Sequence, residues 1–238
     1  MTCETGAVSE SPTSSSPVVA AFDLDGTLTE GGSVFRWLRA VAGSGRVYGA
    51  ALALIGPLLL GALRSGPAAD RAKERLFRRL LAGRPIDEVE EDSRAFILRH
   101  LERHLRPATT ARLRWHRAQG HDVVIVSASP ELYVRVVADE IGAQGALGTR
   151  LATDPLGRLT GGYLGRNCRG AEKLRRLDEW IAERGYPDEP ILFAYGNSRG
   201  DRRMLRRARF PFNVGRLGRV GALRRFPPLD ADAPDVTR

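Results

Sequence analysis

Three short apolar runs limit what this chain can fold into: Val18-Val19-Ala20-Ala21-Phe22, then Val123-Val124-Ile125-Val126 within the stretch Asp122 to Ala128, then Ile191-Leu192-Phe193-Ala194-Tyr195. Each has strand length, and none alternates apolar with polar residues. A strand of that kind needs cover on both faces of its sheet. Helical patterns fill the intervals, from Pro107 to about Gln119, Pro130 to Ile141 and Gly170 to Arg184. Strand-like segments lie near Leu147–Ala152 and Leu159–Leu164, and Phe210–Val214 reads as a last strand. This alternation predicts an α/β fold, a Rossmann-like three-layer arrangement around a mostly parallel sheet.

Open sheets of this class bind ligands at the carboxyl ends of their strands, and polar groups stand at those ends here. Asp23 and Asp25 follow the first run, then Gly26 and Thr27. Residues two apart on a strand point the same way, so the carboxylates converge if the strand persists; Gly26 signals that the chain is turning. Two acids at a buried strand end are costly unless a cation or hydrogen bonds offset them. One reading is a cation and anion site, with Asp23 as nucleophile or ligand and the backbone N–H groups after it facing a phosphate. The other is a capped turn, since Asp and Thr are ordinary turn residues. Ser127 ends the second strand before a helix, where a hydroxyl can bond a phosphate oxygen; the alternative is a helix cap, for which Ser129 before Pro130 is better placed. Lys173 lies near a helix start, the end that disfavours a cation. Either an acidic cluster and a phosphate hold it there or it is solvated. The third run leads into Gly196-Asn197-Ser198-Arg199-Gly200-Asp201.

In this order the four segments resemble the signature motifs of the haloacid dehalogenase superfamily: Asp23-Leu24-Asp25-Gly26-Thr27, Ser127, Lys173, and the Gly196–Asp201 turn. The resemblance covers residues 18 to about 215. It implies a phosphatase in which Asp23 attacks phosphorus to form an aspartyl-phosphate. Asp25 would protonate the leaving oxygen and then activate water. Gly26, Thr27, Ser127 and Lys173 would bind the phosphoryl oxygens. Mg²⁺ would be held by Asp23, the main-chain carbonyl of Asp25, Asn197 and Asp201. Family members usually carry an acid where Asn197 stands. An amide oxygen can coordinate Mg²⁺ without adding charge, which weakens the site or shifts the task to Asp201.

The helical region from about 33 to 105 interrupts the strand–helix alternation and is expected to be an inserted cap on a core made of 18–32 and 106–228. Ser33 is placed to cap its first helix. His100 and His104, at i, i+4, could hold a metal, but with no third ligand evident they read as a solvated face. From Val47 to Leu63 there are 17 residues without a charge, bracketed by Arg46 and Arg64. A bilayer span needs roughly 17–25 such residues. Three readings are open: buried helices of the cap, an interfacial anchor with arginines at headgroup level, or a single span. Residues 1–17, rich in Ser, Thr and Pro, read as a disordered leader, and 229–238 as a loose tail. Two cysteines make no disulfide framework and suit a reducing cytoplasm. The formal charge is +9, and the 37 basic residues comprise 35 arginines and only two lysines, Lys73 and Lys173. A basic surface suits anionic membranes and phosphorylated ligands, while no nucleic-acid recognition motif is present.

Within the superfamily the inserted helices and the stretch Ser127-Ala128-Ser129-Pro130-Glu131 resemble the phosphoserine phosphatase-like branch. Phosphoserine phosphatases carry a Glu nine residues after the nucleophile, where this chain has Gly32. The apolar insertion and Asn167-Cys168-Arg169-Gly170-Ala171-Glu172-Lys173 are more similar to bacterial phosphatidylglycerophosphatase C and its relatives. That resemblance implies a lipid or amphiphilic phosphate as substrate and peripheral contact with the inner face of the cell membrane through 47–63. The alternatives are a soluble phosphatase for a small metabolite and a catalytically weak protein that binds a phosphorylated ligand.

Overall fold

The computed structural model of the protein describes residues 16–54, 67–215 and 221–229. Most of the expected leader (1–15), residues 55–63 of the uncharged stretch, and residues 230–238 of the tail lie outside these. In chain order the elements are β1 (Val18–Phe22), α1 (Val34–Ala42), α2 (Ser44–Ala53), α3 (Pro67–Leu81), α4 (Ile86–His104), α5 (Pro107–Ala118), β2 (Asp122–Pro130) and α6 (Glu131–Ile141). There follow β3 (Gly145–Thr149), β4 (Leu151–Thr153), β5 (Leu159–Tyr163), α7 (Ala171–Glu183), β6 (Ile191–Gly196), a 3₁₀ turn (Arg199–Asp201), α8 (Arg202–Arg207) and β7 (Phe210–Asn213).

Five strands form one sheet in the order β3-β2-β1-β6-β7, and every neighbouring pair is parallel. The three apolar runs are its centre, as their unbroken hydrophobicity requires. Val19, Ala21, Val124, Val126 and Leu192 face one layer, built from Leu177 and Ile181 of α7 with Met204 and Leu205 of α8. Ala20, Phe22, Ile125, Phe193 and Tyr195 face the other, where α5 and α6 supply Leu113, Tyr133, Val134 and Val137. Burying a side chain of this size stabilises the fold by roughly 1.5–3 kcal/mol. The register sets Phe22 level with Ile125 and with Tyr195. The polar residues that follow these runs therefore leave the sheet along one edge.

The strand-like segment expected near 147–152 proves to be two strands. β3 joins the parallel sheet, whereas β4 pairs antiparallel with β5 in a separate ribbon. Arg150 divides them, its guanidinium drawn to the buried carboxylate of Glu131. The ribbon packs on α3 where Gly161 has φ +76°; a Cβ there would lie 2.3 Å from Cα of Arg78.

The helices between Val34 and His104 share the apolar core of the sheet's second face, through Trp37, Phe77, Leu81 and Ile97. Trp37 meets Tyr133 of α6 at 5.3 Å between ring centroids and donates from Nε1 to Ser93 Oγ at 2.7 Å. The described part of the uncharged stretch has two sides: Val47 and Ala50 are buried, while Tyr48 and Leu52 are 53% and 72% exposed. Among the described residues no helix is long and apolar enough to cross a membrane. His100 departs from its expected solvated face. It is buried and stacks on Phe96, and burial, with His104 adding to it, lowers its pKa to about 4.

Two stability measurements test these contacts. Gly161→Ala, which adds a side chain at positive φ against α3 backbone, is expected to destabilise the protein by roughly 2 kcal/mol or more in chemical denaturation. His116 is fully buried, with Nε2 2.8 Å from the Tyr195 hydroxyl, and burial lowers its pKa to about 3. Its native state stays neutral where the unfolded chain takes up a proton. Stability is then complete above about pH 6.5 and falls as pH drops towards 3, by up to roughly 4 kcal/mol from this group. His116→Gln should flatten that slope; an unchanged slope would assign it to other groups.

Candidate active site

β1 leads directly into Asp23, whose buried carboxylate is held from both sides. Thr27 Oγ1 donates to Oδ2 at 2.8 Å and Lys173 Nζ donates to Oδ1 at 2.6 Å. Lys173 comes from the first turn of α7 and is itself buried. Its ammonium also donates to Asp201 Oδ1 at 2.6 Å. Burial works against a charged lysine here, but Asp201 and Asp23 outweigh it and raise its pKa above the usual range. Burial raises Asp23 to about 7; Asp201 adds to the shift and Lys173 opposes it. A carboxylate whose ionised form is disfavoured by burial in this way gains from further positive charge beside it.

Asp25 follows, its carboxylate turned toward the segment that leads into α1. Its Oδ1 accepts from the Ser33 N–H at 2.6 Å, and its Oδ2 accepts from the Ser129 hydroxyl. Ser33 Oγ and the buried Tyr133 hydroxyl share a hydrogen bond at 2.9 Å. Burial and the charge of Asp25 raise the Tyr133 pKa, while bonds to Ser129 and Ser33 oppose the shift. Neither serine acts as the helix cap that its position suggests. Both are committed to Asp25 or to the groups around it, and Ser129 N–H donates to Ser127 Oγ at 3.1 Å. Ser127 itself is buried at the end of the sheet.

The turn after Asp23 also differs from expectation. The Gly26 N–H donates to Thr29 O at 2.9 Å and the Thr27 N–H to Leu24 O at 3.2 Å, so these amides are consumed in shaping the loop. The N–H groups of Leu24 and Asp25 take no partner among the described residues. Gly26 has φ +82°, and a Cβ there would lie 1.9 Å from Asn197 Nδ2. That close approach lets Asn197 Nδ2 donate to the Asp25 carbonyl at 3.2 Å. Asp201 closes its own turn: Oδ2 accepts from Ser198 N–H and Oγ at 2.9 and 2.8 Å and from Asn197 N–H at 3.2 Å. Both of its oxygens thus carry hydrogen bonds, and through Oδ1 it anchors Lys173.

Among the described residues no three His, Cys, Asp or Glu side chains gather as a metal cluster. Near Asp23 stand groups of mixed kind, its own carboxylate, the main-chain carbonyl of Asp25 and the side-chain amide of Asn197, whose nitrogen faces that carbonyl. Such hard oxygens suit Mg²⁺. The structure thus brings Asp23, Asp25, Thr27, Ser127, Lys173, Asn197 and Asp201 to one edge of the sheet. Sequence reasoning gave Ser33 and Ser129 only as helix caps, noted Lys73 only for its rarity, and did not single out Tyr133, which nothing in its spacing marks.

The sequence pattern of haloacid dehalogenase-like hydrolases matches residues 20–206. The chain belongs to that family. Protein CicA of Caulobacter vibrioides is 37% identical over 198 residues, covering 79% of this chain and 82% of the relative. A protein named histidinol-phosphatase in Neisseria meningitidis is 27% identical, covering 82% of this chain and 89% of its own length. Among solved structures, a protein of unknown function from Bordetella pertussis superposes with a TM-score of 0.76 at 23% identity, covering 92% of this chain and 100% of that one. A phosphoserine phosphatase superposes with a TM-score of 0.57 at 17% identity, covering 84% and 87%. At these identities the superpositions establish the fold.

Removing Asp201 would leave Lys173 with one partner and three donors with none. Asp201→Ala is expected to lower stability by about 3 kcal/mol. A rise instead, in thermal or denaturant melts, would mean that the acids repel one another more than Lys173 binds them.

Proposed function

We propose that this hydrolase cleaves phosphate monoesters through an aspartyl-phosphate formed on Asp23. The observation that carries the reading is the setting of Asp23: fixed by Lys173 and Thr27, with the open N–H groups of Leu24 and Asp25 following it. In the first step the carboxylate attacks phosphorus while Lys173, Ser127 and those two amides balance charge on the phosphoryl oxygens. Asp25 gives its proton to the departing alcohol oxygen, then takes one from the water that hydrolyses the intermediate. Ser33 and Ser129 hold the Asp25 carboxylate on station through both steps.

Mg²⁺ fits the donor set, and Asp23, the Asp25 carbonyl and Asn197 would hold it. The Asn197 nitrogen faces the Asp25 carbonyl, and turning the amide over would present its oxygen instead. When bound, the cation supplies positive charge that keeps Asp23 ionised and draws charge from the phosphoryl group.

As substrate we favour a lipid or other amphiphilic phosphate, met at the inner face of the cell membrane by a cytoplasmic enzyme. Supporting this, Phe35, Tyr48 and Leu52 stand exposed on α1 and α2, beside Arg36 and Arg39 and next to the apolar residues that continue to Leu63. The relative named histidinol-phosphatase favours a second reading, a small polar metabolite.

The test is phosphate release with Mg²⁺ from phosphatidylglycerophosphate in mixed micelles, beside O-phosphoserine and histidinol phosphate. Faster turnover of the lipid, none in Asp23→Asn, and loss on chelation with recovery on added Mg²⁺ are expected. Preference for a soluble ester would establish the second reading, and release from none of the three would sink the phosphatase reading for these substrate classes.

A further inference from the structure

A cleft of about 410 Å³ lies beside α8, away from the residues that act on phosphorus. Its wall carries Arg202 and Arg206 from that helix and Arg224, Arg225 and Phe226 from the segment after β7. No acid stands on the wall among the described residues. The four guanidinium groups make no hydrogen bond or ion pair among the described residues either. Their neighbour Arg207 is treated differently: it pairs with Asp178 at 3.4 Å and with Glu189.

Gathering these charges works against the fold. Arg202 and Arg206 are four apart on one helix, where like charges repel, and Arg224 and Arg225 bring two more from another segment. That segment is held in place. The Arg224 N–H donates to the Gly221 carbonyl at 3.1 Å and the Phe226 N–H to the Leu223 carbonyl at 2.9 Å. Leu223 is buried, and its carbonyl also accepts from Asn213 Nδ2 at 3.2 Å. The arginines are thus presented together by a fixed turn and a packed helix, with no internal charge to answer them.

An anion would answer them. Phosphate oxygens match the guanidinium fork two bonds at a time, and four forks around one small cleft suit two adjacent phosphate groups better than one. Arg206, Arg224 and Arg225 are exposed, whereas Arg202 is partly buried and Phe226 packs against the core of the sheet's first face. A flat lipid surface would meet the three exposed arginines and miss the inner pair; a small soluble anion reaches all of them.

We propose that this cleft binds a soluble compound carrying two adjacent phosphate groups, a diphosphate, at a site separate from Asp23. Its position gives it a route to the catalytic edge. Gly221 and Ala222 line both this cleft and a larger one, of about 620 Å³, that reaches Gly26 and Asn197. Arg202 also follows Asp201, the anchor of Lys173.

The experiment is calorimetric titration of the full chain with pyrophosphate and with inorganic phosphate, without divalent cations and at about 0.15 M salt to screen diffuse attraction. Pyrophosphate should bind about tenfold more tightly than phosphate, and Arg206→Gln with Arg225→Gln should weaken it by about tenfold or more. Both side chains are exposed, and the unliganded double variant, relieved of repulsion, should melt no lower than the native chain. Pyrophosphate binding that survives the double substitution would place the ligand elsewhere, the Asp23 site included, and would overturn the proposal. Equal affinities for the two anions, or no saturable binding of pyrophosphate, would overturn it too. Co-sedimentation with phosphatidylglycerol vesicles, lost in the double variant while pyrophosphate fails to bind, would make the arginines a lipid-docking face instead.

Discussion

The ammonium of Lys173, clamped between Asp23 and Asp201, is the interaction on which the remainder of the site depends. Three separate segments meet in it: the end of β1, the first turn of α7 and the turn after β6. Two carboxylates at a sheet's carboxyl edge would repel one another and resist burial. One buried cation shared between them makes the cluster tolerable while leaving an acid excess for further positive charge to answer. The register that aligns Phe22 with Tyr195, whose rings stack at 4.2 Å, fixes how far apart the two acids stand. The apolar core thereby determines the geometry of the charged edge.

Asp25 is governed by a different part of the chain. Its carboxylate is held by Ser33, at the entrance to the inserted helices, and by Ser129, at the end of β2, with Tyr133 behind both. The helices between Val34 and His104 thus do more than cover the sheet; they reach into the polar edge at Ser33 and at Lys73. A shift of α1 or α3 against α6 would be felt at Asp25 and at Ala128 together, since Trp37 packs on Tyr133 and Lys73 bonds the carbonyl beside Ser127.

Much of this was legible in the sequence because two periodicities carry it. Unbroken apolar runs of four or five residues, rich in β-branched and aromatic side chains and set between helical patterns, read as strands covered on both sides, so the parallel sheet followed from VVAAF, VVIV and ILFAY. The polar residues at their ends followed from where α/β sheets place ligands. The sequence misled where a side chain had a choice of partners. Ser33 and Ser129 stand where caps are expected, and only the fold shows that Asp25 outbids the helix ends. The Gly26 and Thr27 amides looked open because local sequence does not say which N–H groups a turn uses on itself. His100 looked solvated because a helical i, i+4 pair says nothing of what packs over it. The split of 147–152 into two strands depends on Glu131, which is distant in sequence from Arg150.

The amide of Asn197 has a consequence for how the site keeps its shape. Because an amide can donate as well as accept, it bonds the Asp25 carbonyl directly, and Gly26 leaves it the room to do so. An aspartate in the same place would set a second acceptor against that carbonyl, and the two loops would be held together only when a cation lay between them. Asn197 acts as a staple that needs no ion. The geometry at the ends of β1 and β6 is therefore pre-organised before any cation arrives, and a cation would exchange the staple for its own bonds by turning one amide over rather than by folding the loops into place.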